Sequence, residues 1–499
     1  MPQDRHPHVL LEGGRQALER LLPGMEALLW AADSPRVGVP SDVLQWQEGS
    51  WSRRFPSTTY LYTGPRPVLE AIIRERVLRS PKIAVVRAKA TGLLGDHQRL
   101  RGISVHRTDG SDTPTVLNAD IIVDASGRHS KFPVWLEALG AEPPHEEWID
   151  TGLGYASQLY RGDMTGLGDA RGCYIMPDAS QPRGAVILPQ GRGTHLVCLL
   201  GLRGSEPPVD QVEFQEFLRL LPHPFLHDWL ATAETASPVF GFRHTANVRR
   251  RYEWASVPAG LLTVGDALCS FNPVYGQGIS AAALSALALR AVLEDGLTCS
   301  THRLQQTVAT AYEQPWRLSS AGDAGLPGAT GDIPAPGLLD RCLGRYMRRI
   351  RRLAPHDPHV GSAFRAVLTL SKPLTSLLSP RVAVRIFLRS VPPALVEPPT
   401  AKSPMATLPR KTKRMREERP VKSTASRGDR ITAHCGLVCV LIVSTMFAVI
   451  AGPPFGTVIA GLFAVLYLCA LTFYSLRHRS IADGARRAYL FTFTWTNWF

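Results

Sequence analysis

GLLTVGDALCSFNPVYGQGISAAALSALALRAVL, residues 260–293, decides how the rest of the chain is read. Leu261 to Val264 predict a short buried strand, Gly265-Asp266 a turn, and Asn272 to Gly278 a Pro- and Gly-bearing loop. The small-residue run that begins near Gly278 predicts a long helix. Such a joint suits a flavin. The Asp266 carboxylate can accept hydrogen bonds from the hydroxyls of a ribityl chain. Backbone N–H groups of the loop can approach a ring closely where glycine leaves no side chain in the way. The helix aims its positive N-terminal end at the same place, which stabilises a reduced, anionic ring. The candidate cofactor contacts of this stretch are therefore Gly265, Asp266, Pro273, Gly276, Gln277, Gly278 and Ile279.

A second stretch agrees with the first. LNADIIVDASGRHSK, residues 117–131, carries an apolar run from Ile121 to Val123 that ends in Asp124-Ala125-Ser126-Gly127-Arg128. A strand ending in small residues is how doubly wound folds bring backbone close to a dinucleotide. Together, D-A-S-G-R and the later G-D-A with N-P-V-Y-G-Q-G resemble the two internal flavin elements of the FAD-dependent aromatic hydroxylase superfamily. The resemblance implies an α/β fold, with a Rossmann-like FAD-binding domain and an antiparallel-sheet substrate domain. It implies FAD as cofactor and NAD(P)H as electron donor, and it places Asp124, Gly127 and Arg128 near the FAD pyrophosphate. Arg66, in GPRPVLEAIIRERV, matches the family's R-P-x-L-E helix start and is expected to face the FAD cleft. The expected activity is monooxygenation of an aromatic, polyketide or isoprenoid small molecule. Two alternatives stay open: a reductase of a lipid-soluble substrate, and a membrane-tethered remnant unable to hold FAD.

One element of that pattern is missing. A dinucleotide fold opens with strand, G-x-G-x-x-G and helix, with an acidic residue about 20 positions later. This sequence begins MPQDRHPHVLLEGGRQALERLLPG, without that strand or that fingerprint. Pro2 to Gly13 match an element the family carries just after its first βαβ unit. The resemblance therefore implies that roughly 30–40 residues are absent from the amino end. Gly152-Leu153-Gly154 lacks the third glycine and lies in an alternating polar/apolar run, so it reads as strand.

With 499 residues the chain is too long for one compact core. Its eight cysteines include no C-x-x-C pair, which points to reduced thiols and against a metal site. The net charge of +14 does not indicate nucleic acid. Much of the excess lies in residues 402–430, which hold no aromatic residue to stack a base, and in RCLGRYMRRIRR, residues 341–352, whose arginines form the solvated face of a helix. The positive linker has a better explanation downstream. Ile431 to Leu476 contain no Asp, Glu, Lys or Arg and break at Gly452-Pro453-Pro454, which predicts two membrane spans. Lys422, Arg427 and Arg430 precede the first span, and Arg477, Arg479, Arg486 and Arg487 follow the second. The charge bias puts both ends and the flavin domain in the cytoplasm, with membrane lipids as a partner through residues 431–476.

The expected layout follows. Residues 1–149 form the first part of the FAD-binding domain and 150–258 a substrate-binding sheet. Residues 259–336 complete the FAD-binding domain, and 337–391 are helical. A basic linker occupies 392–430, the transmembrane hairpin 431–476 and a cytoplasmic tail 477–499. Helices are expected at Arg15 to Trp30 and Pro67 to Leu78, and strands at Ile83 to Val86, at Ile103 to Arg107 and along VFGFRHTANVRR. His6, His8, Arg243 and His244 are possible pocket groups. No catalytic residue is assigned, because an oxygen-activating flavin needs no nucleophile-base pair from the protein.

Overall fold

The computed structural model describes residues 2–399 apart from 109–113, 163–167, 295–299, 334 and 336, together with Lys402 and Tyr489. It divides into two units, Met1–Pro334 with Arg348–Met405, and Ala335–Met347 with Ala406–Phe499. The elements that position the site belong to the first.

The chain opens with β1 (Val9–Leu10), α1 (Glu12–Leu21), α2 (Met25–Ala31), β2 (Arg36–Val39), β3 (Val43–Gln47), β4 (Ser50–Trp51), β5 (Thr59–Thr63) and α3 (Arg66–Leu78). It continues through β6 (Ala88–Gly95), β7 (Leu100–Arg107), β8 (Pro114–Asn118), β9 (Ile122–Asp124), α4 (Phe132–Ala138) and β10 (Glu146–Asp150). Next come β11 (Gly154–Arg161), β12 (Gly172–Ile175), β13 (Arg183–Gly191), β14 (Thr194–Gly201), α5 (Gln211–Leu218) and α6 (Phe225–Leu230). After them lie β15 (Glu234–Thr235), β16 (Phe240–Phe242), β17 (Asn247–Arg250), β18 (Leu261–Thr263), β19 (Cys269–Ser270), α7 (Gly278–Glu294), α8 (Thr301–Ala324) and β20 (Thr330–Gly331). The last helices are α9 (Leu338–Leu353), α10 (Pro358–Leu368) and α11 (Pro380–Leu388).

Three parts of this architecture place the site. β9 and β18 pair in parallel, with Leu262 opposite Val123 and Thr263 opposite Asp124. Their C-terminal loops therefore leave the same end of the sheet side by side. The large sheet runs β15-β11-β14-β13-β12-β3-β4, with β16 also on β11. Its strands alternate between two cores, as period-2 geometry requires. Ala156, Ile187, Val197 and Leu199 pack on Phe214, Phe217, Leu226 and Trp229 of α5 and α6. Tyr155, Val186, Leu188, Cys198 and Leu200 belong to a second cluster on the other face. The third part is α7, which packs on α1. A Cβ on Gly14 would lie 2.6 Å from the Ser280 Cα, and Leu11 N–H donates to Ser280 Oγ at 3.1 Å.

Several expectations need correction. Arg15 to Trp30 form two helices, because Pro23 and Gly24, the latter at φ 89°, break the ladder between α1 and α2. Ile83 to Val86 are not a strand: a β-branched run needs a neighbour to pair with, and among the described residues it has none. Ile83, Val85 and Val86 are exposed, as are Ile121 just before β9 and Val123 within it. VFGFRHTANVRR divides between two sheets, β16 on β11 and β17 between β10 and β19. β3 joins the substrate sheet from far upstream, pairing in parallel with β12. Among the described residues no helix is long and apolar enough to cross a membrane. The expected spans at 431–476 lie outside the described residues.

Candidate functional site

At the end of β9, Asp124 is buried, and its carboxylate is committed to its own turn. Oδ1 accepts from Ser126 N–H at 3.0 Å and Ser126 Oγ at 2.6 Å, and Oδ2 accepts from Ser130 Oγ at 2.6 Å. Asp124 thus shapes the turn that carries Gly127 and Arg128. The Arg128 guanidinium reaches the Ala246 carbonyl at 2.6 Å and Ser270 Oγ at 3.3 Å, which ties the turn to β17 and β19. Burial lowers the Arg128 pKa, and the Asp266 charge acts against that shift.

At the end of β18, Gly265 takes φ 62° with nothing within 4 Å of a would-be Cβ, so the turn is left-handed and open. Asp266 follows with no side-chain hydrogen bond among the described residues. The residue is exposed to solvent. The surrounding protein mass raises its pKa, while Arg66 and Arg128 pull it back. The structure therefore brings Asp266, Arg128 and Arg66 into one electrostatic neighbourhood. Arg66 opens α3, with Nε 2.5 Å from Glu70 Oε1 and Nη1 3.4 Å from His8 Nε2.

The loop between β19 and α7 is held from behind. Pro273–Tyr275 form one 3-10 turn capped by Asn272, whose Oδ1 accepts from Val274 N–H at 3.2 Å and from the Tyr155 hydroxyl at 2.7 Å. Asp323 of α8 gathers three donors: Tyr275 Oη at 2.7 Å, Asn272 Nδ2 at 3.0 Å and Asn247 Nδ2 at 2.6 Å. Burial raises the Asp323 pKa and those donors lower it. Gly276 closes the turn at φ 61°, where a Cβ would stand 2.4 Å from Val9 Cγ2. Gln277 is buried, and its Oε1 has no protein partner. Gly278 starts α7, leaving that helix's first N–H groups turned toward Asp266 and the loop. Ile279 packs against the cluster around α1. Asn247, Tyr155 and Asp323 were not foreseen. No short-range signal marks them, since they meet the loop across 25 to 117 residues of chain.

The loop also forms one wall of a cavity of about 190 Å³. Pro273, Val274, Tyr275 and Gly276 face Tyr155, Val186, Leu188, Cys198 and Leu200 of the sheet, while Arg365 and Thr369 close it from α10 and the residue that follows it. His6 lines it too, hydrogen-bonded to Ser157 Oγ at 2.9 Å and held neutral, its pKa lowered to about 4 by burial and by His8 and Arg5. His8, Arg243 and His244 are not among its lining residues. A larger open cleft, about 520 Å³, lies at Trp30, Arg36, Arg171 and Arg192 and shares no lining residue with this cavity.

Comparison with known proteins bears on the fold. Protein Rv3254 of Mycobacterium tuberculosis is 28% identical over 365 residues, spanning 69% of this chain and 77% of its own. The flavin-dependent brominase Bmp2 superposes with a TM-score of 0.51 at 16% identity, over 74% of this chain and 85% of its own. A flavoprotein/dehydrogenase from Cytophaga hutchinsonii superposes with a TM-score of 0.52 at 11% identity, over 75% of this chain and 86% of its own. No family model matches. The fold is shared with flavoproteins. Within this chain, the two turns singled out from the sequence sit together at one end of β9 and β18, and the third loop joins them at the start of α7.

Proposed function

We propose that this chain is an FAD-dependent oxidoreductase of the monooxygenase type, acting on a small aromatic or other apolar molecule with NAD(P)H as electron donor. One observation carries the reading. The Asn272–Gly278 loop, whose glycines would let a flavin ring approach the backbone, also walls a cavity in which a substrate would lie. The residues present suit FAD. Asp266 has an unpartnered carboxylate for ribityl hydroxyls, Gln277 offers an unpartnered buried Oε1, and the α7 N-terminus supplies backbone N–H groups. Arg66 and Arg128 are the cations available to its negative groups. When bound, FAD supplies the redox chemistry between the electron donor, dioxygen and the substrate. The protein's part is to orient and to exclude water: the sheet face and the Tyr155–Asn272 pair fix one wall, and the Asp323 clamp holds the loop in register.

The cavity sets a size limit. An apolar cavity of about 150 Å³ accommodates benzene, so about 190 Å³ suits one ring with small substituents. Titrating the purified chain with FAD tests the cofactor assignment, and no binding would overturn it. NAD(P)H-driven oxygen consumption stimulated by single-ring aromatics would support the monooxygenase. Turnover without oxygen would favour the reductase.

We also propose that residues 431–476 tether this enzyme to the cell membrane as a two-span hairpin, with the flavin domain on the cytoplasmic side. The support is the uncharged run and the Lys/Arg bias at its two ends.

A further inference from the structure

Arg365 is the side chain the fold leaves unexplained. It lies on α10, is 9% exposed, and lines the cavity beside the Pro273–Gly276 turn. Its Nε is buried without a partner. No carboxylate pairs with its guanidinium among the described residues. The nearby acid on its own helix cap, Asp357, is already held by Arg385 at 3.4 Å and Arg389 at 3.3 Å. Asp323 is engaged by three donors behind the loop. The other titratable groups facing the cavity carry no charge that would balance it. His6 is neutral, Tyr155 and Tyr174 are pushed well above their usual range by burial, and the Cys198 thiol is pushed up to about 12. Tyr275, also in the lining, donates to Asp323.

An isolated buried cation is costly unless something pairs with it. Burial alone draws the Arg365 pKa down to about 10, with no opposing anion, and the group stays protonated near neutrality. The guanidinium is also seated. It folds back over Gly361, where a Cβ would come within 2.9 Å of Nη1 and 3.1 Å of Nη2. Arg365 is a lining residue of the cavity, and a planar guanidinium matches a carboxylate, which it can hold by two parallel charge-assisted hydrogen bonds.

We propose that Arg365 is the anion-binding residue of the cavity, so that the substrate is a small aromatic acid whose carboxylate pairs with Arg365 and whose ring lies against the Pro273–Gly276 turn. This rests on the proposed function for the identity of the cavity as the substrate site. The anion site itself stands on the residues above.

The test uses the full chain with benzoate and benzamide, which share a shape and differ in charge, followed by ligand-induced shift of Tm and by tryptophan fluorescence. Benzoate should bind at least tenfold tighter than benzamide. Arg365→Met should abolish that preference and weaken benzoate about 10- to 100-fold, the range for a lost hydrogen bond to a charged group. Because it removes an unpaired buried charge, Arg365→Met should leave the ligand-free Tm unchanged or higher. Arg365→Lys, which keeps the charge and loses the fork, should bind benzoate with intermediate affinity. Equal binding of benzoate and benzamide by the wild type would overturn the proposal. So would a benzoate preference retained in Arg365→Met, or a large fall in that variant's ligand-free Tm, which would show a structural partner instead. Flavin content is measured in parallel. Arg365-dependent benzoate binding by a chain that takes up no flavin would sustain the anion site and sink the oxidoreductase.

Discussion

Tyr275 donates its hydroxyl to Oδ1 of Asp323 at 2.7 Å, so the loop expected to meet the flavin ring is fastened to a helix nearly fifty residues further along the chain. The same carboxylate takes Asn272 from the loop's cap and Asn247 from β17. A buried acid with three donors fixes three separate segments at one point, and each donor is left unsatisfied if the acid is removed.

Asp323→Ala should therefore destabilise the protein by about 3 kcal/mol or more, since it strands three buried donors. Tyr275→Phe removes one donor from an acid that keeps two others, and should cost about 1 kcal/mol. Urea unfolding of both variants checks the ratio. Equal effects would mean that the clamp does not act through Asp323.

Asp266→Ala should weaken flavin binding by about 1–3 kcal/mol, roughly 5- to 150-fold, by leaving ribityl hydroxyls without an acceptor. Flavin absorbance retained after gel filtration reads the effect directly. Unchanged occupancy would remove Asp266 from the site.

His6 gives the fold an acid-sensitive element. Its pKa is lowered from 6.5 to about 4, so between those values the unfolded chain takes up a proton that the folded chain refuses. Stability supplied this way is fully present above pH 6.5 and falls as the pH drops toward 4, by on the order of 3 kcal/mol. Denaturant midpoints measured across that window should decline in the wild type and decline less in His6→Gln, whose amide can still meet Ser157 Oγ.

Gly14→Ala should loosen the floor of the site. The added methyl would stand 2.4 Å from Ser280 Oγ and 2.6 Å from its Cα, so α1 must back away from α7. Overpacking of this kind costs about 1–3 kcal/mol. The variant should show a lower Tm and, because Ser280 lies in the first turn of α7, weaker flavin binding.

Deleting residues 431–499 should release the protein from the membrane fraction while leaving flavin binding intact. Reporter fusions at Pro454 and Phe499 should read opposite sides of the membrane. The same reading at both, or a full-length chain that stays in the supernatant after ultracentrifugation, would end the two-span proposal.

Local chemistry made the central joint legible. Gly265, Gly276 and Pro273 constrain the backbone by themselves, the small-residue run after Gly278 can only settle as a close-packed helix, and the apolar run Ile121 to Val123 reads as the strand that the structure sets one residue on, at Ile122–Asp124. That was enough to place α7, β9, β18 and the turns that carry Asp266 and Arg128. The tertiary structure alone decided what those turns enclose. β3 joins β12 across more than a hundred residues, Asp323 reaches back to the loop from α8, and Arg365 enters the cavity from α10. Nothing in the sequence around Asp323 or Arg365 separates them from solvated charges on ordinary helices. Their meaning comes from being buried, and burial depends on which distant surfaces the chain brings together, which no local pattern encodes.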